Sequence, residues 1–119
     1  MKSTLALFVG LSALVGCGTQ PTLYGDAVSF EALRGEAVTL EAARLMDGPV
    51  TVIGSVGRVC DAGCWFYLMD DAGMVYVKLD LDAGLVIPSD SEGKQALATG
   101  EFEGEGSSAE FRASAVVLY

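Results

Sequence analysis

Cys60 and Cys64, with Asp61-Ala62-Gly63 between them and Trp65 directly after, are the residues of this chain best equipped for chemistry. Val50 to Val59 reads as one strand and Cys64 to Met69 as the next. The three residues between the cysteines end in glycine, as in a hairpin closed by a type I turn and a G1 bulge. As the closing pair of that hairpin, the two Cβ atoms would lie about 4.5–5.5 Å apart, close to the separation a disulfide requires. Two thiolates at this spacing could instead hold a soft ion such as Cu(I), with the thioether of Met69 or Met74 as a third ligand. The chain has no histidine and only three cysteines, so a closed four-ligand zinc site lacks donors. Thiol exchange is the third option. Its usual motif leaves two residues between the cysteines and places the attacking sulfur at a helix start, whereas here three residues intervene in a strand turn beside Asp61.

The aromatic residues concentrate beside the cysteines. Trp65 and Tyr67 share one face of their strand and Phe66 and Leu68 the other, so one set is core. Trp65, Tyr67 and Tyr76 could then form a ligand-binding face that stacks on a sugar ring or a peptide, or simply cover the outside of the domain. Asp70, Asp71, Asp80 and Asp82 could supply oxygen ligands to calcium, although their spacing lacks the pattern of a calcium loop and solvated turns explain them as well. Glu101 and Glu103 share a strand face and could in principle flank a glycosidic bond. Without a histidine base, a serine elbow or a phosphate loop, the expectation is a protein that is not an enzyme, with no catalytic residues and no resident cofactor, copper being the alternative.

The third cysteine has a different setting. Lys2 supplies a positive start, Leu5 to Val15 an apolar run, and Leu14-Val15-Gly16-Cys17 resembles a bacterial lipobox. The apolar run is shorter than the roughly 20 residues needed to span a bilayer. The resemblance implies removal of residues 1–16, attachment of diacylglycerol to the Cys17 thiol and acylation (palmitate) of the new amino terminus. Two or three buried chains, at about 0.8 kcal/mol per methylene, anchor a protein stably to a membrane. A cleaved secretory signal with an incidental cysteine is the alternative. Gly18 stands where an aspartate would signal inner-membrane retention, so the periplasmic face of the outer membrane is expected in a Gram-negative cell. Export also makes oxidation of Cys60 and Cys64 the default, and the short loop they close limits the gain to roughly 2–3 kcal/mol.

Without Lys2, six basic residues face sixteen acidic ones. Nucleic acid is not an expected partner, because phosphate binding requires clustered positive charge. The membrane, reached through the lipid, and an envelope protein, peptide or glycan are the expected contacts.

About a hundred residues after Cys17 suffice for one core. The boundaries read as signal peptide 1–16, tether 17–25 and one domain over 26–119. Ala27 to Leu33 could be a short strand or a turn of helix. Thr39 to Met46 suits a short helix, capped by Thr39 and stopped by Gly48-Pro49. Val50 to Val59 is rich in β-branched residues with Gly54 and Gly57 marking a bulge or bend. Met74 to Leu81 alternates, with Val75, Val77, Leu79 and Leu81 facing one way. Leu85-Val86-Ile87-Pro88 is a short apolar piece, and Ser89 to Lys94 a loop. Gln95 to Glu103 and Ser108 to Leu118 form a final hairpin. Three strands in a meander and two after a connection fit a mainly β fold, a small five-stranded OB-like Greek-key barrel with one short N-terminal helix; a two-sheet sandwich is the alternative.

Val52-Ile53-Gly54-Ser55-Val56, Cys60-x-x-Gly63-Cys64-Trp65, the turn Asp70-Asp71-x-Gly73, Val86-Ile87-Pro88, Gly93-Lys94 and Ala98-Thr99-Gly100 together resemble an uncharacterised family of small bacterial secreted and lipoprotein OB-fold domains. The resemblance covers roughly residues 50–104. Phe66 stands where many members carry methionine, and Leu85-Val86 replaces a more aromatic pair. What the resemblance implies is the barrel; it supplies no activity.

Overall fold

The computed structural model describes residues 20–27 and 29–119, so the signal peptide, Cys17 and its lipid lie outside the described residues. The described elements are β1 (Thr22–Gly25), α1 (Phe30–Glu36), α2 (Leu40–Ala43), β2 (Val50–Val59), β3 (Trp65–Asp70), β4 (Gly73–Leu79), β5 (Gln95–Glu103) and β6 (Glu110–Leu118). Strands β2 to β6 close on one another in the order β2-β3-β4-β6-β5 and back to β2. All neighbours are antiparallel except β4 and β6, which run parallel. This is the five-stranded Greek-key barrel of the OB type.

Period-two alternation fills the barrel. Phe66 and Leu68 from β3, Val75, Val77 and Leu79 from β4, and Phe111 and Ala113 from β6 are all buried, while their sequence neighbours on the other side of each strand point outward. Leu81, expected to continue that inward row, is 59 % exposed instead. β4 ends at Leu79 because the Asp80 carboxylate accepts hydrogen bonds from the Asp82 and Ala83 amides and caps a 3-10 turn over Leu81–Ala83.

Gly57 lies in a bulge of β2, where the pairing with β3 shifts by one residue between Val56 and Val59. A second shift, between Thr99 and Gly100 on β5, brings β6 so close that a Cβ on Gly100 would overlap the Arg112 carbonyl oxygen. Such bulges bend strands around a small barrel.

Both ends of the barrel are filled. The Thr39 hydroxyl accepts from the Ala42 amide at 3.2 Å, as the sequence suggests, and directs Leu40 and Ala43 into the core. Helix α2 is shorter than expected, since Leu45 beyond it is 86 % exposed and finds no core to cover. The ambiguous segment before it is the helix α1, N-capped by the Ser29 hydroxyl on the Ala32 amide at 3.2 Å. Two short helices therefore precede the barrel rather than one. At the opposite end of β3, Leu85 and Ile87 bury their side chains and the Ile87 amide donates to the Gly63 carbonyl at 3.1 Å.

One boundary differs from expectation. Thr22 to Gly25, assigned to the tether, is a strand that pairs antiparallel with β6 from Thr22 opposite Leu118 to Gly25 opposite Ala115. Its partner is supplied by the far end of the chain, a contact that local sequence does not announce.

Candidate functional site

The strand pair β3–β4 presents a continuous outer face built from three facing pairs: Trp65 with Lys78, Tyr67 with Tyr76, and Met69 with Met74. Because Phe66, Leu68, Val75 and Val77 take the inward positions, alternation leaves the aromatic residues no choice but the outside. There they find one another. Ring centroids lie 5.6 Å apart for Trp65–Tyr67, 5.6 Å for Trp65–Tyr76 and 5.8 Å for Tyr67–Tyr76, within the range of favourable edge and tilted aromatic pairs. The three rings are half-buried, each partly covered by the others and partly open to solvent.

Charge borders the rings on the β6 side. Lys78 stands beside Arg112 in the parallel β4–β6 pair, and Arg112 meets Glu103 at 3.4 Å in an exposed ion pair. The phenol of Tyr76 is held above the ordinary tyrosine range, first by burial, then by the Glu110 carboxylate, with smaller pushes from Cys64, Tyr67 and Cys60. The cysteine loop is thus the immediate neighbour of the aromatic cluster.

Cys60 and Cys64 come together, but not as the closing pair. The Cys60 amide donates to the Trp65 carbonyl at 2.9 Å, so Cys60 and Trp65 close the hairpin and Cys64 lies inside the loop. The extra residue in the β2 bulge is the cause: without it, the register of Val56 with Leu68 would continue to Cys60 opposite Cys64. Both residues are half-buried free thiols. The neighbouring Cys64 thiol, and after it the backbone N–H groups of the loop, hold the Cys60 thiol below its ordinary value, while the nearby Cys60 sulfur and then burial hold the Cys64 thiol above. Gly63 makes the loop possible, with φ +74° and no room for a Cβ against the Ile87 carbonyl oxygen.

The other candidate residues separate. Met69 and Met74 lie at the far end of β3 and β4 from the cysteines, five residues along a strand or roughly 16 Å, so the four sulfurs do not form one soft-metal site. Asp70 and Asp80 sit at opposite ends of β4, each engaged in capping backbone amides, so the aspartates do not converge as calcium ligands. Glu101 and Glu103 line a cleft of about 330 Å³ with Asp80 and Arg112, and Glu103 is taken up by its ion pair. Among the described residues no group of three or more His, Cys, Asp or Glu side chains is arranged to hold a metal, and no helix is long and apolar enough to cross a membrane. Sequence reasoning missed the placement of Lys78 and Arg112 beside the rings; Lys78 was legible, two residues beyond Tyr76 in an alternating strand.

Comparison with known proteins adds the fold and nothing more specific. No known family matches the sequence and no curated protein resembles it. Among solved structures, that of the hypothetical protein ygiW from E. coli superposes with a TM-score of 0.52 at 19 % identity, over 72 % of this chain and 92 % of that one.

Proposed function

We propose that this chain is a lipid-anchored module of the cell envelope that binds a protein, peptide or glycan on the outer face of β3–β4 and catalyses nothing. The observation that carries this reading is the cluster of Trp65, Tyr67 and Tyr76, three mutually packed rings kept at the surface of the barrel. OB barrels commonly take ligands on this part of the fold. A ring already held by its neighbours loses little freedom when a flat sugar face or a peptide side chain settles on it, which lowers the cost of binding. The acidic composition turns the site away from nucleic acid. The lipobox-like run ending at Cys17 supports the anchor, and Gly18 supports the outer membrane in a Gram-negative cell.

Trp65 is the only tryptophan of the chain, so its fluorescence reports this face directly. Full-length protein extracted from membranes would be titrated with peptidoglycan fragments, envelope oligosaccharides and extended peptides, with calorimetry as the second readout. The reading expects one class to shift Trp65 emission saturably and Tyr67→Ala to weaken that binding about tenfold or more, the worth of one aromatic contact in a desolvated site. An emission spectrum indifferent to all three classes overturns it. The mass of the N-terminal peptide tests the anchor separately: an unmodified Cys17 removes it.

A further inference from the structure

The geometry points to one end of the barrel as a surface that rests on a lipid bilayer: the end bearing Tyr119 meets the headgroups, and the end bearing α2 is turned away from them. This orientation rests on the lipid anchor proposed above. β1 is paired with β6 along its whole length, from Thr22 opposite Leu118 to Gly25 opposite Ala115, and the Asp26 amide donates to the Ser114 carbonyl at 3.0 Å. The chain is therefore fixed to the barrel from Thr22 onward. Gly18 and Thr19 alone stand between Cys17 and Gln20, and three Cα steps, fully extended, span no more than about 11 Å. Such a tether leaves the domain little freedom to tumble. Gln20 and Thr22 share one recess of about 320 Å³ with Lys94, Gln95 and Tyr119, so these residues lie next to the point of attachment. Tyr119 is no loose end, because its amide and carbonyl exchange hydrogen bonds of 3.0 Å with Gln95.

The side chains at this end suit a headgroup layer. Tyr119 packs edge-on against Phe30 with ring centroids 4.8 Å apart, and the Arg34 guanidinium lies 5.8 Å from the Phe30 centroid and 5.9 Å from that of Tyr119. Both rings are half-buried and Arg34 is exposed. Aromatic side chains with one dry and one wet side settle at the boundary between acyl chains and water, where arginine and lysine lay their stems along apolar surface and keep their charge hydrated. Glu31 and Glu36 on α1 and Glu92 before Lys94 offset the positive charge, so attraction to anionic lipid does not set the orientation. The short tether sets it. At the other end of β6, Gly106 lines a recess with Arg44 and Met74, and Leu45, just beyond α2, is 86 % exposed. β6 runs nine residues from Glu110 to Leu118, up to roughly 30 Å of strand, part of which strand tilt retains as barrel height. Leu45 accordingly stands clear of the bilayer.

Phosphatidylcholine vesicles, with and without a nitroxide on the headgroup of a fraction of the lipid, serve as the probe for full-length protein extracted from membranes. Trp65 is the only tryptophan, so Trp65→Phe clears the background, and Tyr119→Trp or Leu45→Trp on top of it gives one reporter at each end. The mass of the N-terminal peptide and flotation with the vesicles establish the anchor first. In anchored protein the nitroxide should remove most of the emission at position 119 and leave that at position 45. Equal quenching at both positions, or stronger quenching at 45, overturns the orientation while the anchor stands. An unmodified Cys17 in protein that does not float overturns the anchor, and the orientation with it. Should Tyr119→Trp fail to fold, Lys94→Trp at the exposed rim of the same recess gives the same readout with the same two outcomes.

Discussion

The Asp70 carboxylate accepts a hydrogen bond from the Leu40 amide at 3.0 Å, tying the turn between β3 and β4 to the first residue of α2. Its other oxygen accepts from the Ala72 amide at 2.8 Å and shapes the turn itself. A helix of four residues has no stability of its own, so Leu40 and Ala43 reach the core because both Thr39 and Asp70 hold the start of α2. Asp70→Ala should therefore cost about 1–3 kcal/mol, the usual penalty for stranding a half-buried donor, and Asp70→Asn, which keeps an acceptor, should cost less. Urea denaturation of the two variants measures this. If Asp70→Ala is as stable as the parent, the carboxylate is an ordinary solvated turn residue.

Two glycines should respond in opposite directions to the same substitution. Gly63→Ala places a Cβ against the Ile87 carbonyl oxygen at a φ of +74°, so the backbone conformation is strained and the neighbouring chain must move; a loss of at least about 1–3 kcal/mol follows. Gly35 lies in α1 with no atom within reach of an added Cβ and no positive φ. Gly35→Ala should stabilise by roughly 0.4–1 kcal/mol, through helix propensity and a less flexible unfolded chain. Thermal melts of the pair check both signs together. A tolerated alanine at 63 would mean that the cysteine loop is not locked to the Leu85–Pro88 segment.

What the sequence revealed and what it concealed divide along the range of the interactions. The alternation in Trp65-Phe66-Tyr67-Leu68 gives the inward and outward rows directly, because it depends only on neighbouring residues. β5 falls at Gln95 to Glu103 as read, and the Thr39 cap holds. The strand β1 was hidden, since its partner Leu118 lies at the other terminus. The cysteine geometry was hidden for a subtler reason. Gly57 announced a bulge, but a bulge adds one residue to one strand, and everything beyond it in the hairpin moves by one position. That single step carries Cys64 off the ladder and puts Trp65 opposite Cys60. The cluster of Tyr76 with Trp65 and Tyr67 required the β3–β4 register, which the short turn at Asp71 and Ala72 fixes; residue types alone named its members without joining them.

Burial, and then the Glu110 carboxylate, hold the Tyr76 phenol above its ordinary value of 10.0, so the fold resists ionising it more than the unfolded chain does. A group raised in this way contributes stability that is fully present below the unfolded value and is lost as pH rises through the folded one. Alkaline unfolding should accordingly begin later in Tyr76→Phe, which has no proton to lose, provided the ring keeps its packing against Trp65 and Tyr67. Glu110→Gln should bring the Tyr76 phenolate to a lower pH by removing the nearby negative charge. Tyr24 also titrates high, through burial and Asp90, so the Tyr76 transition is assigned from the phenolate difference spectrum between the parent and Tyr76→Phe. An alkaline midpoint unchanged in Tyr76→Phe, together with a phenolate transition at the value of an exposed tyrosine, would show that the ring stands in open solvent and that Glu110 does not face it.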